Sequence, residues 1–306
     1  MAGRPAAQLT IVPNGNLMTL QAIRQEMWNF STLIPSLQSN QTCMQWLACR
    51  RLLRNGMRCA VCNTDCRLNA HAANIDGYRW KCPACGARKS VRDGSFFSGS
   101  HLTLQQVVIL VYCWSRDMPQ KDIIHEANID EKTAVDWCNF LREECETWLE
   151  NNAEQIGGID DNGDAIEVEI DESKFFHRKY RRGQWRQGHW VFGGVERLTG
   201  RCFLVEVPDR RAVTLENLVE QYLLPGTHIL SDGWAAYANL DQLANGIYTH
   251  SVVIHERNFV DPNDASVHTN VVENMWMRAK RKLKRQFGTS RALFPSYLHM
   301  SNFFLK

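Results

Sequence analysis

Lysine and arginine are missing from residues 143–172 of this 306-residue chain, a stretch in which every charge is acidic. No run of about 18 apolar residues occurs, which excludes an ordinary membrane-spanning helix. Residues 1–16 lack the basic-then-apolar layout of a secretory signal, so a soluble, intracellular protein in a reducing compartment is expected. In that setting the 11 cysteines are thiols or metal ligands rather than disulfides.

What is present is ordinary in amount and uneven in placement. With 44% hydrophobic and 22% charged residues, the chain is long enough for two or three domains with real cores. The net charge of +2 hides segregated fields, because basic runs at 174–186 and 278–291 contrast with the acidic stretch. Basic patches beside carboxylates suit a polyanion held next to a metal site; solvated charge runs are the plain alternative.

Residues 1–53 read as a helical, partly disordered region. Helical spacing at Ile23, Met27 and Phe30, and again at Cys43, Trp46 and Leu47, is interrupted by Pro35, and residues 1–20 are expected to be poorly ordered. Within residues 54–100, Cys59-Ala-Val-Cys62 and Cys82-Pro-Ala-Cys85 have the spacing of a four-thiolate zinc ribbon, with one structural Zn²⁺ standing in for a hydrophobic core. A redox pair would need only one Cys-x-x-Cys. Flanking Arg67, Arg79, Lys81, Arg88, Lys89 and Arg92 suggest contact with DNA phosphates, with solubility as the competing explanation.

Residues 101–150 predict a helix-turn-helix. An apolar helix over 104–114 is followed by a short helix through Ile123, Ile124 and Ala127, a turn at Asn128 and Ile129, and a longer helix capped by Asp130. Lys132, Thr133, Asp136 and Asn139 would then be exposed readers in the DNA major groove. An ordinary helical bundle is the alternative.

An acidic linker is expected over 151–164, and a mixed-sheet domain over 165–306. Ile166, Val168 and Ile170 alternate with Glu167, Glu169 and Asp171, the pattern of a strand with one acidic face. Strands over 166–170, 190–196, 202–207, 228–231 and 248–254 interleave with helices over 212–223, 234–243 and 271–286, the order of a ribonuclease H-like fold. The fold class is therefore multidomain α/β: zinc ribbon, helix-turn-helix, then the ribonuclease H-like domain.

In that domain Asp171 ends the first strand, Asp232 follows the fourth, and Glu273 opens the last helix behind Thr269 or Asn270 as cap. Three converging carboxylates are the hard oxygen ligands that two Mg²⁺ or Mn²⁺ ions need for phosphodiester chemistry. Glu169, Glu172 and Asp261 are the competing acids, and His255 and His268 are candidates for orienting substrate or water. Lys280 shares a helix face with Glu273 and Trp276, while Arg278, Arg281 and Lys284 make the rest of that helix basic; Arg178, Lys179, Arg181 and Arg182 extend from the first acid as a basic loop. All eight are predicted DNA contacts.

The motifs Val168-Glu169-Ile170-Asp171-Glu172-Ser173-Lys174, Trp190-Val191-Phe192-Gly193-Gly194, Val207-Pro208-Asp209-Arg210, Ser231-Asp232-Gly233-Trp234 with Tyr237, and Thr269-Asn270 with Glu273 and Trp276 resemble the Merlin superfamily of eukaryotic DNA transposases. They are similar also to bacterial insertion-sequence transposases with the ISXO2-like DDE domain. The resemblance spans roughly residues 59–289. It implies cut-and-paste transposition by a metal-dependent DDE enzyme that binds terminal inverted repeats and target DNA, acts as a dimer or higher oligomer, and works in the nucleus. The family's acids fall on Asp171, Asp232 and Glu273. Two readings stand beside an active transposase: a domesticated DNA-binding protein that has lost catalysis, and a ribonuclease H-like nuclease without strand transfer.

Overall fold

Alternation of apolar and acidic residues around Ile170 produces one long strand, and the C-terminal half of the chain is laid down on either side of it. The computed structural model describes residues 8–176, 188–253, 269–285 and 289–305. The chain divides into two compact units, Met1–Asp136 and Trp137–Lys306, and the division falls inside a helix. No helix among the described residues is long and apolar enough to cross a membrane.

The first unit holds helices α1 (Leu20–Gln25), α2 (Phe30–Leu33) and α3 (Asn40–Cys49), then an antiparallel sheet of β1 (Arg67–Ala70), β2 (Tyr78–Lys81) and β3 (Arg88–Ser90). It continues with α4 (Leu104–Ser115), α5 (Gln120–Ala127) and the start of α6 (Glu131–Asn151). Ser39 and Thr103 cap α3 and α4 through reciprocal side-chain bonds with Thr42 and Gln106. Asn128, at φ 49°, closes α5, and Asp130 Oδ1 accepts the Thr133 N–H at 2.8 Å to open α6. α4, α5 and α6 agree with the expected helices to within a residue or two, whereas the helical run expected through Ile23, Met27 and Phe30 is interrupted between Gln25 and Phe30.

Two expectations for this unit change. Residues 8–12 are held: Gln8 bridges Leu68, Ile11 donates its N–H to the Asn55 carbonyl at 2.8 Å, and Ile11 and Val12 are buried. Two apolar side chains with a surface to cover outweigh the Gly and Pro of the preceding residues. Arg92, grouped above with the phosphate contacts, is buried against Asp76, with Nη2 2.5 Å from Oδ1 and Nε 2.7 Å from Oδ2. Its charge is consumed inside the fold.

The second unit contains the rest of α6, then β4 (Ile156–Gly157), β5 (Glu167–Phe175), β6 (His189–Glu196), β7 (Cys202–Val207), α7 (Ala212–Tyr222), β8 (Leu223–Leu224), β9 (His228–Asp232), β10 (Thr249–Val253), α8 (Asn270–Arg285) and α9 (Phe294–Leu305). The main sheet has the order β10-β9-β5-β6-β7. β5, β6 and β7 form an antiparallel meander, while β9 pairs parallel to both β5 and β10. The sheet is mixed, as expected from the succession of strands and helices, with β5 at its centre.

Each face of the sheet is covered. Val168, Ile170, Phe192, Phe203 and Val207 pack with Leu215 and Val219 of α7 on one side. On the other, Val191, Val195, Cys202 and Leu204 pack with Val272, Met275, Trp276, Ala279 and Leu283 of α8 and with Phe294 and Leu298 of α9. The α8 set recurs at helical spacing, and burial of each such side chain contributes about 1.5–3 kcal/mol.

Four boundaries differ from the sequence reading. The strand expected over 166–170, with Asp171 at its end, runs to Phe175 because the β5–β6 ladder continues to the Phe175–His189 pair, which leaves Asp171 in mid-strand. Residues 151–164, expected as a linker, include β4, whose Ile156 is buried in the core and whose partner is β8. The helix expected over 234–243 is two 3₁₀ turns, Ala235–Tyr237 and Leu240–Asn245, ended by left-handed residues at Ala244, Asn245 and Gly246. The helix α9 was not anticipated, because its aromatic residues do not fall on one face.

Candidate active site

α8 is fastened to β5 by three hydrogen bonds in sequence. Glu169 Oε2 accepts the Val272 N–H at 2.8 Å, Asp171 Oδ2 accepts Trp276 Nε1–H at 2.9 Å, and Ser173 Oγ accepts from Lys280 Nζ. Alternate strand residues lie about 6.6 Å apart and every fourth helix residue about 6 Å apart, so the two ladders stay in step. One face of the strand therefore sets the height of the helix. Gly193, which pairs with Asp171 across the β5–β6 ladder, makes this approach possible: a Cβ there would lie 2.8 Å from Trp276 Cη2 and 2.9 Å from both Leu204 Cδ2 and Met275 Cε.

Glu169 is the first rung. Fully buried, it also accepts Arg197 Nε–H at 2.8 Å, and it sits at the helix N-terminus, where an anion is stabilised by the aligned peptide dipoles. The sequence reading weighed Glu169 only as an acid near the metals. Its observed partners make it the anchor of the helix.

Asp171 and Asp232 are brought together by strand register. β5 and β9 run parallel with Glu169 opposite Leu230, so two residues further on Asp171 and Asp232 lie at the same level, where the ladder has opened. Both face the α8 side. Burial, followed by the nearby Glu172 and Asp232 carboxylates, pushes the Asp171 carboxyl up to about 7, against the opposing pull of the Glu172 N–H and the Trp276 indole. Asp232 in turn accepts the Trp234 N–H on Oδ1 at 3.0 Å. Two close carboxylates on adjacent strands, Asp171 midway along β5 and Asp232 last in β9, form the donor set that a hard divalent cation selects.

Glu273, the third predicted acid, lies exposed in the first turn of α8, one turn before the indole that holds Asp171. Glu172 points to the opposite face of the sheet. Burial raises its pKa, with the hydrogen bond from the Tyr237 hydroxyl and the Arg210 charge opposing and Asp232 reinforcing.

The predicted DNA contacts divide by environment. Arg278, Arg281 and Lys284 are exposed along α8. Lys280 is half-buried, tied to Ser173 and 5.1 Å above the Phe175 ring. Lys132 is exposed, whereas the Thr133 hydroxyl is given to Asp130 at 2.6 Å and Asn139 accepts from Arg142. Arg178, Lys179, Arg181, Arg182, His255, Asp261 and His268 lie outside the described residues.

The predicted zinc ligands converge in the first unit. The sulfurs of Cys59, Cys62, Cys82 and Cys85 all lie within 4.8 Å of one another, with Cys59 to Cys85 and Cys62 to Cys82 at 3.4 Å and Cys62 to Cys85 at 3.6 Å. Four thiolates about 2.3 Å from a tetrahedral Zn²⁺ would be about 3.8 Å apart, so the cluster fits the ion closely. Each knuckle ends in a left-handed residue, Asn63 at φ 56° and Gly86 at φ 76°. Backbone N–H groups of Cys62 and Val61 face the Cys59 sulfur and hold its pKa below that of a free thiol, which favours a thiolate.

One cluster beside the acids was missed altogether: Arg210, in the loop before α7, stacks between Trp190 and Trp234. The sequence reading held Trp190, Arg210 and Trp234 only as members of the motifs that carry the resemblance and gave them no role. Within the loop Asp209 accepts the Arg211 N–H at 3.0 Å and the Thr214 hydroxyl at 2.7 Å.

Residues 163–304 match the family described as the ISXO2-like transposase domain. Among solved structures, the catalytic core domain of BIV integrase aligns at 15% identity and a TM-score of 0.31, over 44% of this chain and 80% of that one. The HTLV-2 integrase catalytic core domain in complex with magnesium aligns at 12% identity and 0.32, over 45% and 83%. A simian T-cell lymphotropic virus intasome aligns at 16% identity and 0.33, over 46% and 48%. No curated protein matches the chain.

Proposed function

We propose that this protein is a DDE transposase that cuts DNA at the ends of a mobile element and joins them to a target. One observation carries the reading: Asp171, midway along β5, and Asp232, the last residue of the neighbouring parallel strand β9, come to the same level although far apart in the chain, inside the segment that matches a transposase domain family. The motif resemblance supports a Merlin-type enzyme working on terminal inverted repeats in the nucleus. Synapsis of two ends calls for a dimer or higher oligomer.

Asp171, Asp232 and Glu273 would hold two Mg²⁺ or Mn²⁺ ions, which supply Lewis-acid polarisation of the phosphate and lower the pKa of the attacking oxygen. The chain's own residues prepare that site. Trp276 fixes the Asp171 carboxylate through Oδ2, and the Trp234 N–H fixes Asp232 through Oδ1. Lys280 and the exposed Arg278, Arg281 and Lys284, with Arg178, Lys179, Arg181 and Arg182, attract the DNA backbone. The four cysteines would carry one Zn²⁺, and α5 with α6 would act as the helix-turn-helix, with Lys132, Thr133 and Asn139 nearest the groove.

The test begins with duplexes selected by the full-length protein from a randomised library. Sequencing them defines the bound site, which is then placed at a DNA end. The wild type is expected to nick and join that end in Mg²⁺, and Asp232→Asn and Glu273→Gln to do neither. Specific binding without metal-dependent nicking by the wild type would instead identify a domesticated DNA-binding protein, and nicking without joining a nuclease.

A further inference from the structure

Trp190 and Trp234 clasp one guanidinium between them. Arg210 Cζ lies 4.0 Å from the ring centroid of Trp190 and 4.4 Å from that of Trp234, while Lys174 Nζ lies 5.3 Å from the Trp190 centroid. β5, β6, the loop before α7 and the turn after β9 each contribute one member. Trp190 and Arg210 are half-buried, but Trp234 is 41% exposed.

The position of Trp234 gives the stack a use beyond stabilising a loop. Its N–H is bound to Asp232 Oδ1 at 3.0 Å, so its backbone lies beside that carboxylate, and its indole reaches over to Arg210 and thereby to Trp190 on the α7 side of the sheet. Arg210 lies over the ring, which sets its plane, and two-fifths of the residue's surface stays open to solvent. A fixed, exposed indole offers a π-face that any base can stack on. Paired bases in a duplex present edges and phosphates to a protein, so the occupant of such a face is a base out of its stack.

We infer that Trp234, backed by Arg210 and Trp190, is a stacking platform for an unpaired nucleobase flanking the phosphate held at Asp171 and Asp232. This rests on the proposal that those acids receive DNA, and it adds a positioning residue that the acids alone do not imply. Arg210 and Lys174 bring positive charge to the same place, which draws in the strand that carries the base.

The experiment compares a blunt DNA duplex with the same duplex bearing a single-stranded overhang that contains 2-aminopurine. Binding to the full-length protein is measured in EDTA, so no cutting intervenes. The wild type should prefer the overhang by about 5- to 100-fold and quench its fluorescence. Trp234→Ala should abolish the preference and the quenching while binding the blunt duplex as before, and Trp234→Phe should restore most of both. If Trp234→Ala keeps the preference, or loses affinity for both probes equally together with thermal stability, the inference is overturned. Because no divalent metal is present, a wild type that fails to nick DNA under Mg²⁺ removes the enzymatic reading without disturbing this result.

Discussion

Trp276 Nε1 donates to Asp171 Oδ2 at 2.9 Å, joining a strand residue to a helix residue 105 positions later. Through this bond the packing of α8 becomes the orientation of a carboxylate. A helix that shifted by a single turn would leave Asp171 among its acidic neighbours without a donor.

Replacing Trp276 by Phe keeps an aromatic ring in the core and removes the N–H. A hydrogen bond to a charged group contributes about 1.5–3 kcal/mol, so urea unfolding should show a loss at or below the low end of that range. Mn²⁺ affinity, measured by calorimetry, should fall about 10- to 100-fold, as it does when a metal ligand loses its orienting partner. An unchanged Mn²⁺ affinity would mean that the indole has no part in shaping the site.

The raised carboxyl of Asp171 predicts a pH dependence. Its pKa is about 7 in the folded chain against an ordinary 3.8, so between these values the folded state binds more proton than the unfolded state. The stabilising contribution is complete below about pH 4 and is lost as pH rises through about 7. In EDTA, Asp171→Asn should be more stable than the wild type at pH 8, by at most about 4 kcal/mol, and the two should converge towards pH 4. Added Mg²⁺ at pH 8 should recover the deficit in the wild type alone. Parallel stability curves from pH 4 to 8 would contradict this account.

Gly193→Ala tests the space beneath α8. The new methyl meets Trp276 and Leu204 at under 3 Å, and overpacking of this kind costs about 1–3 kcal/mol. The melting temperature should drop, and DNA nicking should drop further than the stability change explains, because the displaced group is the ring that holds Asp171. Gly15→Ala, at an exposed site outside the left-handed region where no atom would meet the added methyl, is a control for the backbone effect of losing glycine.

Metal analysis of the full-length protein should return one zinc per chain, and Cys82→Ser should lose it. Cys82 is buried beside Trp80, in a segment whose core is small, so removal of the ion should expose residues 57–92 to proteolysis. Intact protection after chelation would mean that the four thiols need no ion.

Much of this architecture could be read from local pattern. The knuckle spacing of Cys59, Cys62, Cys82 and Cys85, the alternation around Asp171 and the apolar stripe of α8 are short-range signals, because a strand or helix repeats its exposure every two or 3.6 residues. The succession of strands and helices was legible too, but the order of the strands within the sheet was not. The roles of Glu169, Gly193 and Arg210 left no such trace, since each depends on what another segment brings against it.

What the sequence by itself determined is which side chains share a strand face or a helix face, and hence that Asp232 ends a strand and Glu273 opens a helix; that the first strand runs on past Asp171 to Phe175 was not legible in it. Tertiary structure alone decided that Glu169 would anchor α8, that a missing side chain at Gly193 would admit Trp276, and that Arg92 would be spent on Asp76. The reason is physical: periodicity is fixed by backbone geometry within a few residues, whereas burial, ion pairing and the level of one element against another are set by packing between distant ones.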